Sequence, residues 1–279
     1  NTMYKQVITN RLSWSDISLF LQCQRCFWYL KCLKIKRPSY DAESFKLPSA
    51  IDELRKEECD RCRRTKTTLK IFEKNNIALV PYEDEEQSVT NWRRPFFQGG
   101  TLEYYDKARN LVLCGSLDDV FINANSELVV VEFKSTATKP GEVIDKGYWY
   151  KINNIQVMFY AWLLNKNNQL VNNTGYLIFG NALYKGHDIP TFNNCLYFNS
   201  VLMACAVDYA QIERILDEIT YCFLRDTAPE PEKMNKKFKC IFCQFISAML
   251  EHYQTPQQML PQVGKGLINC YLEDLIKGY

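Results

Sequence analysis

Asp118, Glu132 and Lys134 have the types and order that metal-assisted hydrolysis of a phosphodiester requires. Two carboxylates can hold Mg²⁺ or Mn²⁺ through hard oxygen ligands. Such an ion polarises a phosphate and lowers the pKa of a bound water. An amine two residues beyond the second carboxylate can orient that water or neutralise charge on the phosphorane. A surface ion pair at a strand end explains the same Glu-x-Lys spacing. Cysteines form a second set. Cys23-Gln-Arg-Cys26 and Cys240-Ile-Phe-Cys243 are two Cys-x-x-Cys pairs. Four thiolates satisfy the ligand count of tetrahedral zinc or of an iron–sulfur cluster. A third such pair, Cys59-Asp-Arg-Cys62, has no second pair aimed at it and reads as core.

The carboxylates need a rigid frame. Two apolar, β-rich runs, 111–122 and 128–135, flank the polar turn Asn123-Ala-Asn-Ser-Glu127, which is a β-hairpin pattern. Side chains alternate along a strand. Leu128, Val130, Glu132 and Lys134 therefore share one face, and Val129, Val131 and Phe133 the other. A charged pair thus ends a strand that is otherwise core. Burying either charge alone costs roughly several kcal/mol, which a divalent metal would offset. Asp118, with Asp119 beside it, lies where hairpin pairing brings carboxylates toward Glu132.

Gly115-Ser-Leu-Asp118 followed by Val129-Val-Val-Glu132-Phe-Lys134 resembles motifs two and three of the PD-(D/E)XK nuclease superfamily. Gln156-Val-Met-Phe-Tyr160 resembles the Gln-x-x-x-Tyr motif of its RecB-like branch, which includes the CRISPR-associated RecB-like exonucleases. The resemblance runs from about Leu12 to about Phe245. It implies a restriction-endonuclease-like core with Asp118, Glu132, Lys134, Gln156 and Tyr160 as catalytic residues. It also implies metal ligation by Asp118, Glu132, the backbone carbonyl of Phe133 and a helical first-motif residue. Asp52 matches that last place, with Glu53 and Glu57 as alternatives. The branch often carries an iron–sulfur cluster, and Cys23, Cys240 and Cys243 match three of its four positions. The fourth falls near Met249, which cannot replace a thiolate, and Gln24 stands where the branch usually has Pro. Cys26 supplies the missing ligand, or the site is lost.

The chain has 279 residues, 47% hydrophobic and 24% charged, enough for one large core. Its net charge is +2, so a nucleic acid must be met by local patches rather than an overall basic field. No run approaches the roughly 18 apolar residues of a membrane span, and no membrane partner is expected. Twelve cysteines with no visible secretory signal point to reduced thiols and a cytoplasmic location. His187 and His252 are too few for a histidine-rich site.

Ser13-Trp-Ser-Asp16 reads as a capping box opening a helix that carries the first cysteine pair. Arg25, Lys34 and Arg37, interleaved with Phe27, Trp28 and Tyr29, could contact phosphates and stack on bases. A solvated helix end with core aromatics explains the same pattern. Asp52, Lys56 and Asp60 share one face of a helix over 48–60. Trp92, Arg93 and Arg94 could grip nucleic acid, or Trp92 could anchor its loop to the core. A strand near 101–105, a helix over 151–165 with Ile155, Phe159, Trp162 and Leu163 as its core stripe, strands at 176–179 and 196–198, and a helix over 208–224 follow. The amphipathic piece 267–276 reads as a docking helix.

The expected fold is α/β: a mixed central β-sheet flanked by helices, with N- and C-terminal helical segments packed together. The expected divisions are 1–47, 48–205, 206–255 and 256–279. The expected function is that of a Mg²⁺- or Mn²⁺-dependent nuclease acting on DNA, with the DNA preference and an exonuclease mode implied by the resemblance alone. An inactive nuclease-like binding module and a metal-stapled interaction protein are the alternatives.

Overall fold

The computed structural model describes residues 10–37, 46–84, 86, 88–100, 102–138, 147–184, 194–230, 233–234 and 238–244. The 139–141 turn, His187, Met249, His252 and the 267–276 piece lie outside them. Two compact units are formed, one from 1–17 with 40–218 and one from 18–39 with 219–279.

The first unit is α/β. It opens with β1 (Asn10–Ser13) and α1 (Trp14–Gln22), whose cap is as expected: the Ser13 N–H donates to Asp16 Oδ2 at 2.9 Å. Next come α3 (Lys46–Thr65), α4 (Lys70–Lys74), β2 (Val80–Pro81), α5 (Ser88–Arg93), β3 (Glu103–Asp106), β4 (Leu111–Cys114), β5 (Asp119–Ile122) and β6 (Leu128–Thr136). α6 (Tyr148–Lys166), β7 (Thr174–Ala182), β8 (Phe198–Ala206) and α7 (Tyr209–Phe223) complete the series. The main sheet has order β2-β5-β6-β7-β8. Only β6 and β7 run parallel in it, and α6 supplies the crossover that a parallel pair needs. A smaller sheet has order β1-β4-β3.

The strand alternation expected for β6 holds. Val129, Val131 and Phe133 join Phe121 and Ile178 in a core with Cys59, Leu69, Phe72 and Leu79. Val130 faces the other way, toward α6. A Cβ on Gly175 would lie 2.3 Å from Val157 and 3.0 Å from the Val130 carbonyl, so glycine is what lets α6 approach the sheet. Ten residues of α6 are buried, far more than the stripe of four read from the sequence. A helix buried all round has a second partner: Trp162 meets Tyr104 of β3 edge-on at 5.7 Å, and Phe159 meets Trp14 at 6.1 Å.

The hairpin differs in one respect. Its first arm is not one strand over 111–122. The chain turns at 115–118, so β4 joins the small sheet and only β5 pairs with β6. The Gly115 and Leu117 N–H groups donate to the Leu102 and Trp92 carbonyls instead of a ladder. A Cβ on Gly115 would lie 2.9 Å from the Tyr160 ring. The strand expected at 196–198 is displaced: β8 begins at Phe198, shares that one residue with the expectation, and is nine residues long and paired with β7 throughout. It is an edge strand with little apolar alternation to reveal it.

In the second unit the chain is extended at Cys23 (φ −166°), which separates α2 (Gln24–Cys32) from α1 where one helix was expected. Phe20, Phe27 and Phe223 pack in series at 5.2 and 5.4 Å, and Trp28 Nε1 donates to the Arg225 carbonyl at 3.4 Å. The N- and C-terminal segments therefore pack together, as expected. A short hairpin, β9 (Lys233–Met234) and β10 (Phe238–Lys239), leads to Cys240. No described helix is long and apolar enough to cross a membrane.

Candidate metal and catalytic site

β5 begins at Asp119, opposite Val131, so β6 runs on past its partner. Residues 132–134 project into the space beyond. The ladder is replaced there by a side chain: the Phe133 N–H donates to Asp118 Oδ2 at 2.8 Å. N–H and C=O of one strand residue point to the same edge, so the Phe133 carbonyl also faces Asp118. Glu132 is 2% exposed. Its Oε1 accepts from Lys134 Nζ at 2.8 Å and from Gln156 Nε2 at 2.5 Å. Its Oε2 is buried and has no hydrogen-bond partner among the described residues. Tyr160, one turn along α6 and 3% exposed, lies beside the Gln156 side chain. The Asp118, Glu132, Lys134, Gln156 and Tyr160 set is thus brought together.

Asp52 reaches the same place from α3. It helps line a cavity of about 320 Å³ with Arg55, Asp118, Phe133, Lys134 and Gly180. Glu53 and Glu57 are exposed and do not line it. Asp52 carries an ion pair to Lys56 Nζ at 2.7 Å, the i, i+4 partner legible in the sequence. A divalent ion would compete with that amine.

Asp118 is crowded by protein although its edge reaches the cavity. Burial, then the nearby Glu132 charge, pushes its carboxyl well above the usual range. Burial works against the charge on Lys134, but Glu132 and Asp118 outweigh it and hold the amine protonated. Burial and the same two carboxylates keep the Tyr160 phenol neutral. The donor set fits a hard divalent cation: crowded carboxylates that repel each other, and one buried oxygen without a partner. An ion bound there would displace the Asp118 proton. A carboxyl with a raised pKa favours the folded, metal-free protein at low pH, and that contribution fades as pH rises through the raised value. Mn²⁺ affinity is therefore expected to tighten as pH rises through the same range. Calorimetry at several pH values checks this, and a flat profile would contradict it.

Asp119 points away from this site. It is fully buried, with Oδ1 2.5 Å from Arg63 Nη2 and Oδ2 paired with Arg93. Asp60 pairs with both arginines, 2.7 Å from Arg93 Nη1, and Arg93 Nε donates to the Asp118 carbonyl at 3.0 Å. This corrects the reading of Arg93 as a nucleic-acid contact, because its guanidinium is already fully engaged. Trp92 is corrected likewise: it is buried and stacked on Tyr82 at 6.3 Å, the core-anchor alternative. Arg94 is exposed. Nothing in the sequence pointed to Arg63 or to the division of labour between Asp118 and Asp119.

In the second unit, Cys23, Cys26, Cys240 and Cys243 are all buried, and their sulfurs lie within 4.8 Å of one another. These four cysteines could hold a metal. They share protons unequally. Hydrogen bonds from Cys243 and Cys26 hold the Cys23 thiol low. The bond to Cys23 pushes Cys26 up to about 12. Arg37 Nη2 lies 3.4 Å from Cys240 Sγ, and its guanidinium sits over the Phe242 ring. Arg37 thus serves the cysteines, not an open phosphate surface. Arg25 lies over the Tyr29 ring, and the exposed Lys34 donates to the Lys31 carbonyl at 2.9 Å.

No protein-family model matches this chain, and no curated protein does. Among solved structures, it is similar to one described as the crystal structure of SSO0001. The identity is 15%, 78% of each chain is covered, and the TM-score is 0.35.

Proposed function

We propose that this chain is a Mg²⁺- or Mn²⁺-dependent deoxyribonuclease of the PD-(D/E)XK type, RecB-like branch. The observation that carries the reading is Glu132 Oε2, a buried carboxylate oxygen with no partner beside a second crowded carboxylate. Burying an unpaired anionic oxygen is costly unless something binds it. When bound, the ion would be held by Glu132, Asp118, the Phe133 carbonyl and Asp52, and would supply Lewis acidity and an activated water. Gln156 and Lys134 both engage Oε1, which leaves Oε2 free for that ion. Tyr160, buried one helical turn from Gln156, packs beside it. Lys134, kept charged by the two carboxylates, offers its amine to a substrate oxygen in the cavity. Arg55, also at the cavity, adds positive charge there, and exposed Arg94 is a candidate backbone contact. Preference for DNA and attack from a strand end rest on the sequence resemblance.

The test is cleavage of linear and circular DNA, single- and double-stranded, with Mg²⁺, Mn²⁺ or excess chelator. Cleavage is expected with either ion, none with chelator, and at least a hundred-fold loss in Asp118→Asn. Linear but not circular substrate should be degraded. Cleavage that survives chelation would remove the metal from the mechanism.

A further inference from the structure

We propose that the four cysteines hold one zinc ion and not an iron–sulfur cluster. The inference is independent of the nuclease reading. Cys23 Sγ lies 3.7 Å from Cys243 Sγ, and Cys26 Sγ lies 3.7 Å from both Cys240 Sγ and Cys243 Sγ. None of the six separations exceeds 4.8 Å. Four sulfurs placed tetrahedrally at about 2.3 Å from one ion are about 3.8 Å apart. The observed spacing is therefore the edge of a single-ion tetrahedron.

A cluster does not fit that spacing. In a four-iron cluster each thiolate binds a different iron, and the sulfide cage stands between all of them. In a two-iron cluster the thiolates divide into two pairs, one per iron, separated by the width of the cluster. Here no such division is available. Cys26 is equally close to both cysteines of the second pair, and Cys243 is equally close to both of the first. The sequence departures have the same consequence. Cys26 is a fourth ligand within a Cys-x-x-Cys pair, and two such pairs are the usual framework of structural zinc.

The surroundings suit a zinc tetrathiolate. Cys23 is the extended residue before α2 and Cys26 lies in its first turn. Cys240 follows β10, and Cys243 lies on the helical turn 241–244, where the Gln244 N–H closes on the Cys240 carbonyl at 2.9 Å. Four thiolates around Zn²⁺ leave two negative charges. The Arg37 guanidinium, against Cys240 Sγ and over Phe242, offsets part of that. Four thiolate ligands leave no open position for water or substrate, so the work of zinc here is structural. It ties residues 214 apart in sequence, Cys26 and Cys240, and folding of this unit becomes coupled to metal binding.

The test is metal and acid-labile sulfide analysis of the whole protein, expressed with both iron and zinc in the medium and purified anaerobically. One zinc per chain, no sulfide and no absorption band near about 400 nm are expected. Cobalt exchanged into the protein should give thiolate charge-transfer bands and the intense visible bands of a tetrahedral ion. Cys243→Ser should lose at least nine-tenths of the bound zinc, whereas Cys32→Ser, exposed and outside the set, should keep it. If Cys243→Ser does not fold, the wild-type analysis decides alone. Iron with sulfide, iron without sulfide, or no stoichiometric metal would each overturn the proposal.

Discussion

Glu132→Gln is expected to slow metal-dependent DNA cleavage by at least two orders of magnitude and to leave the metal-free protein as stable as the wild type, or more so. A hundred-fold loss corresponds to about 2.7 kcal/mol of transition-state stabilisation, which is modest for a residue proposed to hold a catalytic ion. Stability should move the other way for a physical reason. Glu132 is 2% exposed and one of its carboxylate oxygens has no hydrogen-bond partner among the described residues, so its charge is a burden unless a cation answers it. Gln keeps the shape and an oxygen for Lys134 and Gln156 while removing the buried charge. It also relieves repulsion with Asp118, whose carboxyl Glu132 pushes upward. The measurements are single-turnover cleavage with saturating Mn²⁺ and thermal unfolding in chelator. Near-wild-type cleavage by Glu132→Gln would defeat the catalytic assignment. A large drop in Tm without metal would show that Glu132 is a structural partner of Lys134 instead.

Much of this site was legible because it is local. Glu132 and Lys134 share a strand face by simple alternation, and Gln156 and Tyr160 share a helix ridge one turn apart. Asp118 follows from hairpin pairing, a short-range constraint. The alternation also put Val129, Val131 and Phe133 in the core, where they are found. What the sequence hid depends on distant contacts. The break of the first hairpin arm lies at Gly115, packed so closely on Tyr160, 45 residues on, that a Cβ would meet its ring. The burial of α6 on all sides needs the small sheet, whose strands come from 10–13, 103–106 and 111–114. Arg93 reads as a basic surface residue because its partners, Asp60 and Asp119, are 33 and 26 residues away. The two Cys-x-x-Cys pairs were visible, but only the fold shows that their sulfurs come within 4.8 Å of one another.

The second large effect concerns Asp119, the neighbour of Asp118. Asp119→Ala is expected to destabilise the protein by about 3–5 kcal/mol, the range for removing one partner from a buried ion pair. Asp119 is fully buried, and each of its oxygens is taken by an arginine that is itself 11–14% exposed. Deleting it leaves two desolvated guanidinium groups with one carboxylate among the described residues, Asp60, to balance their charge, and Asp60 is 41% exposed. The site feels the loss through the backbone, because Arg93 also holds the Asp118 carbonyl. Denaturant unfolding should show a lower midpoint with an unchanged slope. Arg93→Met should cost less in the Asp119→Ala background than in the wild type, since the two residues lie in one network. Asp118→Asn supplies the contrast. That carboxyl is raised by burial and by Glu132, so neutralising it should leave stability equal or higher while removing cleavage. Two adjacent aspartates would then separate cleanly, one failing in chemistry and the other in folding. A loss below about 1 kcal/mol for Asp119→Ala would mean that water replaces the carboxylate at little cost and that the network is not a structural support.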